Sequence, residues 1–96
     1  MLERSIEKKF CEMIRQRGGL TYKFTSSENG VPDRIVITLA GVVWFVELKT
    51  KQGRLSKIQS HQISRLKEHG ANVRVIRGWD AAKKFIEEVT GDAERV

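Results

Sequence analysis

The stretch GVPDRIVITLAGVVWFVELK, residues 30–49, decides how the chain is built. It holds two runs rich in Val and Ile, 33–38 and 42–49, with only Leu39-Ala40-Gly41 between them. Two extended runs that close in sequence form a β-hairpin, and a three-residue loop with glycine in the left-handed position is a common connection. That loop pairs Thr38 with Val42, and stepping back along both strands sets Asp33 opposite Glu47. A two-residue loop would instead set Asp33 opposite Leu48, on the other face. The second run, VVWFVELK, is apolar on both faces until Glu47, which predicts a central strand covered on both sides.

Outward from the hairpin, residues 3–17 carry Ile6, Phe10, Met13 and Ile14 at helical spacing, and Gly18-Gly19 stops that helix. Residues 20–25, LTYKFT, alternate with Leu20, Tyr22 and Phe24 on one side, which is a strand pattern. TSSENGVP, 25–32, is polar and ends in the only proline, so it reads as a loop. After the hairpin, TKQGRLSK at 50–57 is a basic loop. A helix over 56–69 follows, with Ile58, Ile63 and Leu66 apolar and Gly70 as its stop. NVRVIR, 72–77, alternates again as a fourth strand. Asp80 is expected to cap a last helix reaching about Val89, and the tail 91–96 is expected to fray. The order is αβββαβα, an α/β class with a mixed central sheet flanked by helices, in one domain over 1–96.

Ninety-six residues leave no room for a second core. No apolar run approaches the ~18 residues of a membrane helix, and the start, MLERSIEKKF, is too charged for a signal peptide. The expected setting is therefore intracellular, in the cytoplasm. One cysteine, Cys11, rules out an internal disulfide and a cysteine-based zinc site, and its neighbours Phe10 and Met13 mark it as packing. His61 and His69 read as surface residues, and Trp44 and Trp79 as core. Lys and Arg outnumber Asp and Glu by 18 to 12, a net charge of +6 that suits a polyanionic partner such as nucleic acid.

The chemistry concentrates at Pro32-Asp33 and Glu47-Leu48-Lys49. Residues i and i+2 of a strand share a face, so Glu47 and Lys49 are neighbours. An isolated E-x-K is usually a salt bridge where a strand meets solvent. In the three-residue register, however, Asp33 has its Cβ roughly 5 Å from that of Glu47. Two carboxylates that close repel unless a divalent cation lies between them. A hard cation such as Mg²⁺, for which Mn²⁺ can substitute, takes a few carboxylate oxygens plus water, and it would activate a water and neutralise charge on a phosphate. Lys49 could orient that water or stabilise the developing charge. These are the parts phosphodiester hydrolysis requires. Lys51, Arg54 and Lys57 just beyond, and Lys23 and Arg34 flanking the site, are candidate contacts to a DNA backbone.

GVPDR at 30–34, FVELK at 45–49 and GRLSKIQ at 53–59 resemble the VRR-NUC family of the PD-(D/E)xK nuclease superfamily. IEKKF in the first helix, and GG at 18–19 followed by KF at 23–24, resemble its small stand-alone, phage-type members. The resemblance spans nearly the whole chain. It implies a restriction-endonuclease-like fold, metal ligands at Asp33, Glu47 and the backbone carbonyl of Leu48, and a catalytic Lys49. It also implies an acid from the first helix and a glutamine from the helix after E-x-K. Gln59 matches the glutamine, although Ser56-Lys57-Ile58-Gln59 is equally a capping box, and Gln62 is an alternative. Glu7, beside the buried stripe with Phe10 and Ile14, is preferred over Glu3 for the acid. The substrate implied is DNA, branched or structured such as a junction, cut by a homodimer.

Two other functions compete. A binding module of this fold without chemistry would gain nothing from converging acids. A protein-interaction factor would need an exposed apolar patch, and none is evident in the sequence.

Overall fold

The computed structural model describes the backbone of residues 1–94 and the side chains of residues 1–91. Helix α1 (Glu3–Gln16) leads into strand β1 (Leu20–Lys23), then β2 (Arg34–Ile37) and β3 (Val43–Lys49). Helix α2 (Lys57–Glu68), strand β4 (Asn72–Arg77) and helix α3 (Gly78–Glu94) complete the chain. The strands form one sheet in the order β1-β2-β3-β4. β1 and β3 run antiparallel to β2, whereas β3 and β4 are parallel and are joined by the crossover through α2.

The hairpin loop is the expected three-residue type. Gly41 sits at φ +87°, a conformation only glycine adopts without strain, and Thr38 N–H donates to the Val42 carbonyl at 2.9 Å. The register that follows pairs Ile37 with Val43 and Arg34 with Val46. Continued by one residue beyond the ladder, that register sets Asp33 opposite Glu47, and the charge of Asp33 reaches the Glu47 carboxyl.

Period-two alternation then sorts the strands. Val36, Val46, Leu48 and Ile76 point to the face covered by α1 and α3, where they bury with Ile6, Phe10, Ile14, Ala82, Phe85 and Ile86. Phe10 and Phe85 stack at 6.0 Å between the two helices, and Trp44 meets Phe85 edge-on at 5.3 Å. Arg74 ties β4 to α3 through Glu88 at 2.8 Å and lies over Trp44. Trp44 and Trp79 pack against this core half-buried, and Cys11 is buried as a free thiol.

Three sequence expectations need correction. β3 is central, but its face away from the α1–α3 core is covered only in part: α2 packs on β4, leaving Val43 exposed and Phe45 half-buried, while Glu47 further along the same face is buried. In β1 the buried residue is Thr21, whose hydroxyl donates to the Ile35 carbonyl at 3.0 Å, while Leu20 and Tyr22 are 51% and 55% exposed. The paired rows Leu20–Ile37–Val43 and Tyr22–Ile35–Phe45 therefore present apolar surface on the open face, a patch that one-dimensional reading misses. Finally, α3 starts at Gly78, two residues before Asp80, and continues past Val89 to Glu94. Thr90 explains the extension, because it is buried and accepts a hydrogen bond from Arg17 at 3.3 Å, so packing on α1 carries the helix onward. Residues 91–94, expected to fray, continue that helix, and 95–96 lie outside the described residues.

Candidate active site

Asp33 is fixed from three sides. Pro32 before it is fully buried, its own carbonyl accepts from the Phe24 N–H at 2.7 Å, and Arg34 after it enters β2. The loop leading to it is held against α2 by close approach. A Cβ at Gly30, which has φ +86°, would lie 2.7 Å from the backbone oxygen of Ile58. Only glycine lets the loop lie this near the first turn of α2, one residue from Gln59.

Glu47 and Lys49 share one face of β3, and the charge of Asp33 reaches Glu47 there. Lys49 Nζ lies 3.8 Å from Glu47 Oε2, and Glu47 is only 7% exposed. Burial pushes the Glu47 carboxyl above its ordinary value of 4.5, the Asp33 charge opposite pushes it the same way, and so does that of Glu3. Lys49 acts against them through its charge and its hydrogen bond. A carboxyl with a raised pKa favours folding when protonated. Its contribution is complete below the ordinary value and is lost as pH rises through the raised one. Ionising Glu47 in the isolated site therefore carries a cost, and a cation between Asp33 and Glu47 would remove it.

The donor set suits a hard divalent ion better than a soft one. Among the described residues, no three His, Cys, Asp or Glu side chains converge as a metal-binding cluster. The two carboxylates would thus need oxygen from a backbone carbonyl, as at Leu48, and from water. That mixed set is typical of Mg²⁺, which keeps several waters.

The first helix offers two acids in different states. Glu7 Oε1 pairs with Arg34 Nη2 at 3.1 Å, and Arg34 is 7% exposed on the core-facing side of β2. The Arg34 Nε is buried with no hydrogen-bond partner, so Glu7 is the charge that makes this guanidinium tolerable. Glu3, one turn earlier, is exposed and is the α1 carboxylate whose field reaches Glu47. The structure thus ties Glu7 to Arg34, and it takes Arg34 away from the surface where a phosphate contact would need it. No local pattern announces this pair, because its members lie 27 positions apart and meet only through the packing of α1 on the sheet.

Gln59 completes the capping box. Its Oε1 accepts from the Ser56 N–H at 2.9 Å while its own N–H donates to Ser56 Oγ at 3.1 Å. Its amide nitrogen has no partner among the described residues. Gln62 Nε2 donates instead to Glu28 at 3.2 Å, away from the acids. Lys23, Lys51, Arg54 and Lys57 are exposed, as are His61 and His69.

A family model, the VRR-NUC domain, matches residues 2–80, which includes every residue of this site. The chain belongs to the VRR-NUC family of nucleases. It is 38% identical over 79 residues to a protein named "Putative nuclease p44" from Acyrthosiphon pisum secondary endosymbiont phage 1, covering 81% of this chain and 85% of the phage protein. Among solved structures, one VRR-NUC domain superposes with a TM-score of 0.82 at 33% identity, covering 88% of this chain and 94% of the other. A second VRR-NUC domain protein reaches 0.75 at 13% identity over 95% and 89%, a likeness of fold alone. The VRR-NUC sheet with its flanking helices is thus the architecture described above. No helix of the described residues is long and apolar enough to cross a membrane.

Proposed function

We propose that this VRR-NUC protein is a Mg²⁺- or Mn²⁺-dependent endonuclease that hydrolyses DNA phosphodiester bonds, selects branched or junction DNA, and works as a homodimer in the cytoplasm. The observation that carries the reading is the hairpin register, which sets Asp33 opposite a buried Glu47 with Lys49 3.8 Å away. Asp33, Glu47 and the Leu48 carbonyl would hold the cation, with Glu3 rather than Glu7 adding negative charge from α1. When bound, the ion would lower the pKa of an attacking water and offset charge on the phosphate.

The chain supplies the rest. Lys49, on the same face as the two acids, orients the nucleophile or stabilises charge developing on the phosphate oxygens. Gln59 contributes the half of its amide that the capping box leaves unused. Lys51, Arg54, Lys57 and Lys23 are exposed cations that can follow the phosphate backbone without reading sequence. The open apolar face formed by Leu20, Tyr22, Val43 and Phe45 is where a second copy would bury surface that one copy leaves in water.

The decisive experiment is cleavage of a panel of four-way junctions, flaps, nicked and plain duplexes with Mg²⁺, Mn²⁺ or EDTA. Cutting of branched substrates with either metal and none in EDTA is expected. No cutting of any substrate with either metal would hand the reading to a binding module. For the basic loop, the triple variant Lys51→Ala, Arg54→Ala, Lys57→Ala should lower the slope of log affinity against log salt by about 0.9 for each phosphate it no longer neutralises. An unchanged slope would mean that these cations are merely solvated.

A further inference from the structure

Beyond the acids, a cavity of about 190 Å³ opens where β4 passes into α3. It is lined by Met1, Ile6, Lys51, Arg77, Trp79 and Asp80, with the Gly78 backbone at its base. Its position ties it to the candidate active site. Arg77 is the cross-strand partner of Lys49, and Lys51 lies two residues past Lys49. Met1 and Ile6 flank Glu3, the α1 acid that Glu47 feels. The cavity thus lies outside the C-terminal ends of the two parallel strands, where open α/β sheets generally bind ligands.

The lining divides into two kinds of surface. Trp79 and Met1 offer aromatic and apolar area above the buried Ile6, whereas Lys51 and Arg77 bring positive charge. Lys9, outside the lining, places its Nζ 4.8 Å from the centre of the Trp79 ring and steadies the indole. Arg77 Nε donates to the Gly53 carbonyl at 3.0 Å, so the loop carrying Lys51 is fastened to the cavity rim. Asp80 supplies the one carboxylate, an acceptor suited to the N–H edge of a base. An aromatic ring beside clustered cations is the pairing that holds a base by its face and its phosphate by charge.

We propose that this cavity receives one unpaired nucleotide next to the bond that is cut, its base against Trp79 and its phosphate between Lys51 and Arg77. The site would favour DNA in which a base already lies outside the stack, because extracting a paired base costs a few kcal/mol. The inference deepens the reading of the protein as a nuclease for structured DNA and rests on it for the substrate, but it is tested by binding alone.

The test is equilibrium binding in EDTA, where no metal-dependent cleavage occurs. Three duplexes of one sequence are compared: fully paired, with a single bulged 2-aminopurine, and with an abasic residue at the bulge. Wild-type protein should bind the bulged base about tenfold tighter than the abasic control, the equivalent of one stacking interaction. The 2-aminopurine fluorescence should fall on binding. Trp79→Ala and the less disruptive, apolar but non-aromatic Trp79→Leu should bring the ratio to about one. Equal affinity of wild type for the two bulges, absence of quenching, or an undiminished ratio in a Trp79 variant that keeps wild-type circular dichroism would each overturn the proposal. The quenching measurement needs no variant, so unfolding of Trp79→Ala cannot rescue a wrong idea. A protein that shows the tenfold ratio yet cuts nothing with Mg²⁺ would keep this pocket and lose the nuclease reading. One that cuts DNA with a ratio of one would do the reverse.

Discussion

Lys49→Ala is expected to reduce single-turnover cleavage by about 10²–10³-fold while leaving the fold and DNA affinity close to wild type. That is the size of loss seen when one preorganised electrostatic group is removed from a reacting phosphate or carbonyl. Folding should survive, because Lys49 is a half-buried residue on the open face of β3 and takes no part in the α1–α3 core. The variant also carries a pH signature. Lys49 holds the Glu47 carboxyl down against burial and the charges of Asp33 and Glu3, so its removal raises that pKa further. A cation competes with protons for the carboxylate. The acid limb of residual activity should therefore move to higher pH, and more metal should be needed at a given pH below it. Full cleavage at the pH optimum with only the acid limb displaced would show that Lys49 is no more than the salt-bridge partner of Glu47.

The opposition of Asp33 and Glu47 is legible in the sequence because local chemistry dictates it. A glycine at the third loop position and two β-branched runs fix a hairpin, and a hairpin fixes its register through the turn. The two caps of α2 are legible for the same reason. Ser56 and Gln59 satisfy each other three residues apart, and His69-Gly70 ends the helix within its own last turn.

What stays illegible depends on which element lies over which strand. Alternation in LTYK shows that two faces differ but not which faces the helices. Here the smaller, hydroxylated Thr21 is inside, because its hydroxyl finds the Ile35 carbonyl, and Tyr22 is outside. An all-apolar β3 suggests cover on both sides, yet α2 lies over β4. The charged residues follow the same rule. Periodicity places Glu7 correctly beside the buried stripe of α1, but it cannot say that the neighbour waiting there is a guanidinium.

That neighbour sets the second large effect. Glu7→Ala strips the carboxylate from Arg34, whose side chain is 8% exposed and already has one unsatisfied donor. Removing one member of a fully buried pair costs about 3–5 kcal/mol. Glu7 itself is 32% exposed, so water can reach part of the gap, and a loss of about 2–3 kcal/mol is expected. For a chain of this size, that corresponds to a fall in Tm of roughly 10–20 °C. Replacing both partners by apolar residues, Glu7→Leu with Arg34→Met, should recover much of the loss, because no charge is then left buried. Glu3→Ala should do the opposite. Exposed and outside the core, it should change stability by about 0.5 kcal/mol or less. If its charge belongs to the metal environment, the same change should weaken metal-dependent cleavage at protein concentrations and temperatures where the fold is intact. Thermal melts run beside cleavage assays separate the two carboxylates. A Glu7→Ala protein that melts like wild type but has lost cleavage, together with a fully active Glu3→Ala protein, would return the metal-site role on α1 to Glu7 and reduce the Arg34 pair to a minor interaction.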